Sequence, residues 1–244
     1  MRRYNILLSV IFLLFPAISL GVAPDSFMGG IQFDSTDVSP ALKVFALLSV
    51  LSLAPGILIM LTSFTRIVVV LSMLRNALGL QQTPPNIVII SLALFLTMFT
   101  MMPVATEIYN EAYEPYQAKS ITTEVALKKA IQPLQAFMLK QTHEKDLQLI
   151  WQLAKEPIPS KACDIKFYQL VPAFMLSELQ TAFQIGFMIF LPFLLVDLIV
   201  SGILMTMGMM MMPPMTISLP IKILLFVLID GFDLVVQALV TSFH

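Results

Sequence analysis

Long apolar segments alternate with short polar breaks along most of this chain. Ala41 to Leu74 and Ile87 to Met102 form one pair of apolar runs, and Glu178 to Gly202 and Ile221 to Val240 form another. A helix crosses a bilayer with about 20 apolar residues, so each pair predicts a membrane-embedded helical hairpin. The first run is too long for one straight span, and Pro55-Gly56 is expected to divide it into two pieces.

Residues 105 to 170 interrupt this pattern with most of the acidic residues and lysines. Thr122 to Lys140 and Thr142 to Lys155 both have the pattern of amphipathic helices. In the second, apolar residues recur at i, i+3, i+4 and i+7 from Leu147, and Thr142 is the expected N-cap. The segment predicts a small soluble helical insertion on the outer side of the membrane.

The N-terminus has the three-part pattern of a secretory signal peptide. Two arginines precede the apolar stretch Asn5 to Phe15, and small residues follow it. Ser19 and Gly21 fit the positions before a cleavage site, which predicts a signal peptide over residues 1–21. A retained short signal anchor is the alternative.

The predicted fold class is therefore all-α and membrane-associated, with two long kinked helical hairpins and a small helical periplasmic insertion. After the signal peptide, an N-terminal segment and the first hairpin occupy residues 22–104. The soluble insertion occupies residues 105–170, and the second hairpin occupies residues 171–244.

Both hairpins turn at the same spaced motif. In each, a glycine is followed after four residues by two prolines: Gly79, Pro84 and Pro85 in the first hairpin, and Gly208, Pro213 and Pro214 in the second. Either a weak internal duplication or a common choice of turn residues explains the repeat. The two tips differ in polarity, because the first is polar and the second carries Met209, Met210, Met211 and Met212.

The methionine tip has two explanations that the residues alone leave open. Methionine is unbranched, flexible and polarisable, so it fills irregular gaps and adapts to different shapes. The tip is either a hydrophobic loop packed in a membrane bundle or a soft seal across a pore. An uncharged tip of this kind should be buried, and several copies meeting tip to tip would bury it.

Ionisable residues inside the second hairpin are costly to bury and require partners. Counting along a straight hairpin puts Asp197 and Asp230 at similar depth, so a single hairpin is not expected to neutralise its own charges. Pairing of Lys222 with Glu178 or Asp197 of a neighbouring subunit is one solution. Solvation of each charge in an aqueous cavity is the other.

Arg66 and Arg75 are the arginines of the first hairpin. Arg66 is also a charge inside an apolar run, so it too is expected to need a partner. Arg75 lies beside the turn and places that turn on the cytoplasmic side by the positive-inside rule. A cleaved signal peptide predicts the same orientation.

Composition and motifs exclude several function classes. The chain is 58% hydrophobic and 12% charged, which is typical of membrane proteins rather than soluble domains. Its net charge of −1 argues against a nucleic-acid partner. The sequence contains no phosphate-binding glycine loop, no CxxC and no HExxH, so neither an enzyme nor a cofactor or metal site is predicted. An intramembrane aspartyl pair of Asp197 and Asp230 is a disfavoured alternative.

Two stretches are characteristic of a known family: TSFTRIVVVLSMLRNALGLQQTPPNIVIISLALFLTMF and SELQTAFQIGFMIFLPFLLVDLIVSGILMTMGMMMMPPMTISLPIKILLFVLIDGFDL. They closely resemble the FliP family of flagellar export-gate proteins and its injectisome counterparts. The likeness covers Leu53 to about Leu239, and the insertion over 105 to 166 carries little of it.

The resemblance implies a function and a set of partners. FliP-like proteins form a homopentamer with FliQ-like and FliR-like subunits, next to an FlhB-like gate subunit, in the bacterial inner membrane within the flagellar basal body. They pass unfolded flagellar export substrates. Met209 to Met212 would line the constriction as a gasket, and Glu178, Asp197 and Lys222 would form intersubunit charge pairs.

Two other functions remain as alternatives. A proton-coupled membrane transporter for small solutes would use Asp197, Asp230 and Glu178 as carriers, and single Asp→Asn changes would abolish its transport. A scaffold that only nucleates ring assembly is the third possibility.

Overall fold

A computed structural model of the chain describes residues 40–80, 82–155, 165–208 and 213–243. All regular elements in these ranges are helical, which confirms the predicted fold class. The predicted signal peptide, Cys163 and the four methionines of the second tip lie outside the described residues. The chain divides into two compact units, Met1–Leu51 and Ser52–His244.

The helices follow one another in this order: α1 Pro40–Met60, α2 Phe64–Ala77, α3 Asn86–Ile108, a π-helical turn Tyr109–Tyr113, α4 Glu114–Gln117, α5 Thr123–Gln141, α6 Glu144–Ala154, α7 Phe167–Thr206, α8 Met215–Leu228 and α9 Gly231–Thr241. The first hairpin is formed by α2 and α3, and the second by α7 and α8. The insertion between them contains α5 and α6, as the two amphipathic patterns predict.

Two helical stretches of the described chain are long and apolar enough to cross a membrane, Asn86–Gln117 and Phe167–Thr206. Helices α8 and α9 are bent by 65° at a short break and provide a third candidate if the bent pair counts as one span. These lengths fit the membrane association that the hydrophobic pattern predicts.

The break in the first apolar run does not fall where the sequence predicts it. Helix α1 continues through Pro55-Gly56 and ends at Met60, so the predicted division at Pro55-Gly56 is wrong. A proline removes one backbone donor, whereas hydroxyl side chains offer the backbone other hydrogen bonds. Thr62 Oγ1 donates to the Ile59 carbonyl at 2.8 Å, and it accepts from the Phe64 amide at 3.4 Å.

Helices α2 and α7 lie side by side and run parallel. Arg66, near the start of α2, pairs with Glu178 of α7. Further along, a Cβ atom on Gly186 of α7 would lie 2.3 Å from Sδ of Met73 in α2. Since the contacts advance in the same direction along both helices, the two hairpins point the same way.

Three buried apolar clusters hold unit Ser52–His244 together. The first joins both hairpins to α9 and includes Ile67, Ala93, Ala182 and Leu239. The second fixes the insertion on α7 and includes Met138, Trp151 and Phe174. The third lies near the end of α2 and includes Leu74, Leu78, Phe193 and Phe226. The hydrophobic effect at these contacts is what positions the polar groups described below.

A polar contact also attaches the insertion to α7. The backbone amide of His143 donates to Ser177 Oγ at 2.9 Å, and Ser177 Oγ donates to Asp146 Oδ2 at 2.6 Å. His143 is the N-cap of α6, so the predicted cap at Thr142 is wrong. Thr142 instead closes α5, because its hydroxyl donates to the Met138 carbonyl at 2.6 Å.

Candidate functional site

The two hairpin tips begin with the same local geometry. Gly79 and Gly208 have left-handed φ values of +79° and +75°, which glycine adopts without the cost of a side chain. The Gly79 amide donates to the Asn76 carbonyl at 3.0 Å, and the Gly208 amide donates to the Met205 carbonyl at 3.1 Å. Each glycine therefore ends its helix by the same cap.

After each tip the next helix starts directly behind the two prolines. Pro84 and Pro85 precede α3, and Pro213 and Pro214 precede α8. Pro85 and Pro214 are the N-cap residues, and proline suits this position because a helix start needs no amide donor there. The repeated motif thus marks a helix end and a helix start in both hairpins, although the N-cap prolines differ in ψ, at 152° for Pro85 and −28° for Pro214.

Among the described residues, polar side-chain contacts join the two helices at the base of the first tip but not of the second. Arg75 Nη1 donates to Asn86 Oδ1 at 2.6 Å and to the Pro84 carbonyl at 3.3 Å. Counted from the glycine of each tip, Leu204 and Met215 occupy the positions that Arg75 and Asn86 occupy in the first hairpin. The second tip is therefore apolar at its base as well as in Met209–Met212.

A buried lysine links three helices behind the second tip. Lys222 Nζ donates to Asp197 Oδ2 at 2.6 Å and to the Ala77 carbonyl at 3.3 Å. The lysine thus neutralises the carboxylate of α7 and satisfies a carbonyl at the end of α2. The prediction that a single hairpin cannot neutralise its own charges is wrong for this pair, because both partners belong to one chain.

Asp197 retains an unused acceptor. Its side chain is 39% exposed, and its Oδ1 has no hydrogen-bond partner among the described residues. A buried carboxylate oxygen without a donor is costly. A contact of Asp197 with a neighbouring subunit stays a prediction.

Asp230 and Asp197 have different surroundings, although the count along a straight hairpin puts them at similar depth. It lies at the break between α8 and α9 in a left-handed conformation with φ +49°. With Asp233, Phe226 and Phe232 it lines a small open cavity. Asp197 does not line this cavity and pairs with Lys222 instead, so the described residues give no support to an aspartyl pair.

Glu178 has its cationic partner in the first hairpin. Arg66 Nη2 and Nε donate to Glu178 Oε1 and Oε2 at 2.6 Å and 2.9 Å, and their side chains are 2% and 0% exposed. This two-pronged geometry is the strong form of an arginine–carboxylate pair. Gln141 and Ser242 also contact Arg66, and the sequence gives no signal for either.

Comparison with known proteins shows which family this chain belongs to. The model of the FliP family matches residues 47–239. The chain belongs to the FliP family. FliP proteins are part of the flagellar export apparatus and are not a known enzyme family, and the apolar helices of this chain are compatible with the membrane.

The chain is similar to several curated FliP proteins, all named flagellar biosynthetic protein FliP. It is 53% identical to that of Bacillus subtilis strain 168 over 210 residues, which cover 86% of this chain and 95% of the relative. Identity to the protein of Pectobacterium carotovorum is 50%, covering 84% and 79%. Identity to the protein of Agrobacterium fabrum is 42%, covering both chains in full.

Proposed function

We propose that this chain is a core channel subunit of the flagellar type III export gate in the bacterial inner membrane. It passes unfolded flagellar subunits through a pore that Met209–Met212 seal, and flagellum assembly requires it. The observation that carries the proposal is the contrast between the tips: parallel hairpins end in one polar tip braced by Arg75 and one tip without charge. FliP-family membership supports the same function.

The proposed seal works through side-chain chemistry. Apolar side chains close a pore to water and ions by dewetting. Methionine side chains have several rotatable bonds and re-pack around different shapes, so they can yield to a passing chain of any sequence. Gly208 and the two prolines hold the base of the tip, which leaves the movement to the methionines.

The surface of one chain supports assembly with other subunits. Helix α7 exposes a set of large apolar side chains: Phe187, Met188, Leu195, Leu198 and Ile203. A surface of this kind fits protein or lipid contacts rather than water. We propose a homopentamer with FliQ-like and FliR-like subunits and an FlhB-like gate subunit, with the insertion on the periplasmic side. Of the three predicted intersubunit charges, Asp197 has the exposed side chain that a subunit contact requires, whereas Lys222 and Glu178 are buried beside partners in the same chain.

The seal is tested by replacing Met209–Met212 with alanine. Shorter side chains leave the constriction open to water, so ion leakage across the inner membrane should rise while export of flagellar subunits persists. Membrane potential and single-channel conductance measure the leak, and secreted flagellin measures export. Replacing the exposed Met205 and Met207 with alanine is the matched control and should change neither.

Unchanged conductance in the four-alanine variant would contradict the seal. Native mass measurement of the detergent-extracted complex tests the assembly in parallel. A ring containing small heterologous membrane subunits supports the export gate, whereas a functional monomer or dimer supports a transporter.

A further inference from the structure

Arg66 has no free hydrogen-bond donor. A guanidinium carries five N–H groups, and the structure provides an acceptor for each of them. Two reach Glu178, one from Nη2 reaches Gln141 Oε1 at 3.1 Å, and Nη1 reaches the carbonyl and hydroxyl of Ser242 at 3.0 and 3.1 Å. The group is buried and complete, so it is not a site for a ligand or a moving proton.

The acceptors come from segments far apart in the sequence. Glu178 belongs to α7, Gln141 ends α5 at the base of the insertion, and Ser242 lies in the turn after α9. Gln141 Nε2 also donates to the Phe243 carbonyl at 3.0 Å, and the Phe243 ring lies 4.0 Å from the Arg66 guanidinium carbon. The insertion and the turn after α9 therefore contact each other as well as Arg66.

The free energy is unfavourable when only some of the acceptors around Arg66 are in place. A buried charged group with unsatisfied donors loses more free energy than a satisfied one gains. If the turn after α9 moved away, Nη1 would lose both acceptors, and Gln141 would lose the acceptor for its amide. If Gln141 moved away instead, Arg66 Nη2 would lose one acceptor and the Phe243 carbonyl would lose its donor. The low-energy arrangement is the one in which all three segments are docked.

We propose that Arg66 is a docking latch that couples the base of the insertion to the turn after α9. Its planar fork holds both segments against α7, so neither detaches while the other stays in place. The alternative is a simpler role in which Arg66 only neutralises Glu178. The two differ for lysine, which keeps the charge but lacks the fork that reaches three segments.

Reciprocal variants of the full chain, extracted in detergent, test the coupling by hydrogen exchange. A stop codon in place of Ser242 removes the acceptors of Nη1 and should speed exchange at residues 138–147 of the insertion base. Gln141→Leu should speed exchange at residues 242–243. Each effect should be about tenfold, the scale of losing a hydrogen bond to a charged group, and coupling between two sites is reciprocal.

Gln148→Leu is the matched control. Gln148 lies on the exposed side of α6 and contacts only Glu144 in the described chain, so exchange at residues 242–243 should stay at the wild-type rate. Faster exchange at 242–243 in Gln141→Leu but not in Gln148→Leu supports coupling of the two segments, and Arg66→Lys, which keeps the direct Gln141–Phe243 hydrogen bond, tests whether Arg66 carries it. Equal rates in wild type and Gln141→Leu overturn it.

Arg66→Lys separates the latch from plain neutralisation. The latch predicts faster exchange at both segments in this variant, or loss of the folded chain, although the positive charge remains. Wild-type exchange at both segments shows that the charge alone suffices and overturns the proposal. Gln141→Leu keeps Arg66 and Glu178 intact, so it remains informative even where Arg66→Lys does not fold.

Discussion

The Lys222 side chain of α8 donates hydrogen bonds to two other helices. Its ammonium lies between the Asp197 carboxylate of α7 and the Ala77 carbonyl that ends α2, and the residue is 6% exposed. Hydrogen bonds to charged groups contribute about 1.5–3 kcal/mol each. The half-exposed carboxylate of Asp197 can gain water when the lysine is removed, which reduces the loss.

Lys222→Met should therefore lower the free energy of unfolding of the isolated chain by about 1–3 kcal/mol. Asp197→Asn and the double variant complete a cycle whose coupling energy isolates the pair. Denaturant or thermal unfolding of monomeric chain in detergent measures all three. The exposed Lys128→Met is the control and should change little. Coupling that appears only in the assembled complex would mean that the pair forms between subunits instead.

The sequence shows which charged residues inside apolar runs need a partner, but it does not show which of them pair with each other. Glu178, Asp197, Lys222 and Arg66 all stand out because charges inside apolar runs need partners. Their pairing depends on tertiary contacts: Arg66 and Glu178 are 112 positions apart. The count along a straight hairpin also ignored the 65° bend between α8 and α9, where Asp230 lies.

At the scale of elements, the contact of α2 with α7 depends on a missing side chain. A Cβ on Gly186 would lie 2.3 Å from Sδ, 2.6 Å from Cε and 3.3 Å from Cβ of Met73. The contacts with Sδ and Cε are too close for a Cβ atom, so the flexible end of Met73 would have to move, and the contact with Met73 Cβ would require a further shift of the backbone. Gly202 lies in the same helix with no described atom within 4 Å of its Cβ position.

Gly186→Ala should consequently destabilise the chain by about 1–3 kcal/mol, the usual cost of overpacking. Gly202→Ala should leave the stability unchanged or raise it by up to about 1 kcal/mol, because alanine favours helix. Adding Met73→Ala to Gly186→Ala should recover part of the loss. Thermal unfolding in detergent compares the four chains, and equal stability of the two alanine variants would mean that the helices do not approach at Gly186.

Element boundaries were predictable where turn chemistry was specific. The Gly and Pro-Pro motif correctly located the end of α2 and α7 and the start of α3 and α8, because positive φ and a helix N-terminus favour those residues. The same reasoning failed at Pro55-Gly56, because one lost hydrogen bond does not end a helix. The hydroxyl of Thr62, which bonds the backbone on both sides of the break, was the better signal.

At the scale of the whole unit Ser52–His244, the parallel arrangement of α2 and α7 puts both tips at one end. A Cβ on Gly79 would lie 3.7 Å from Leu219 of α8, so the first tip lies beside the helix that leaves the second. Helix α3 runs back from the tip to the insertion. The start of α6, which contacts Ser177 near the start of α7, therefore lies toward the other end.

This geometry predicts how single cysteines react with a membrane-impermeant thiol reagent in a chain whose Cys163 is replaced by serine. The exposed positions Thr83→Cys and Met215→Cys should react from the same side of the membrane, the cytoplasmic side if the positive-inside rule holds for Arg75. Lys145→Cys in α6 should react from the opposite side, which is the periplasmic side in the proposed orientation. Inverted vesicles and intact spheroplasts give access to the two faces separately. Reaction of the tips from opposite faces would contradict the parallel hairpins, because no rigid placement of α2 beside α7 in the observed direction separates their tips by a bilayer.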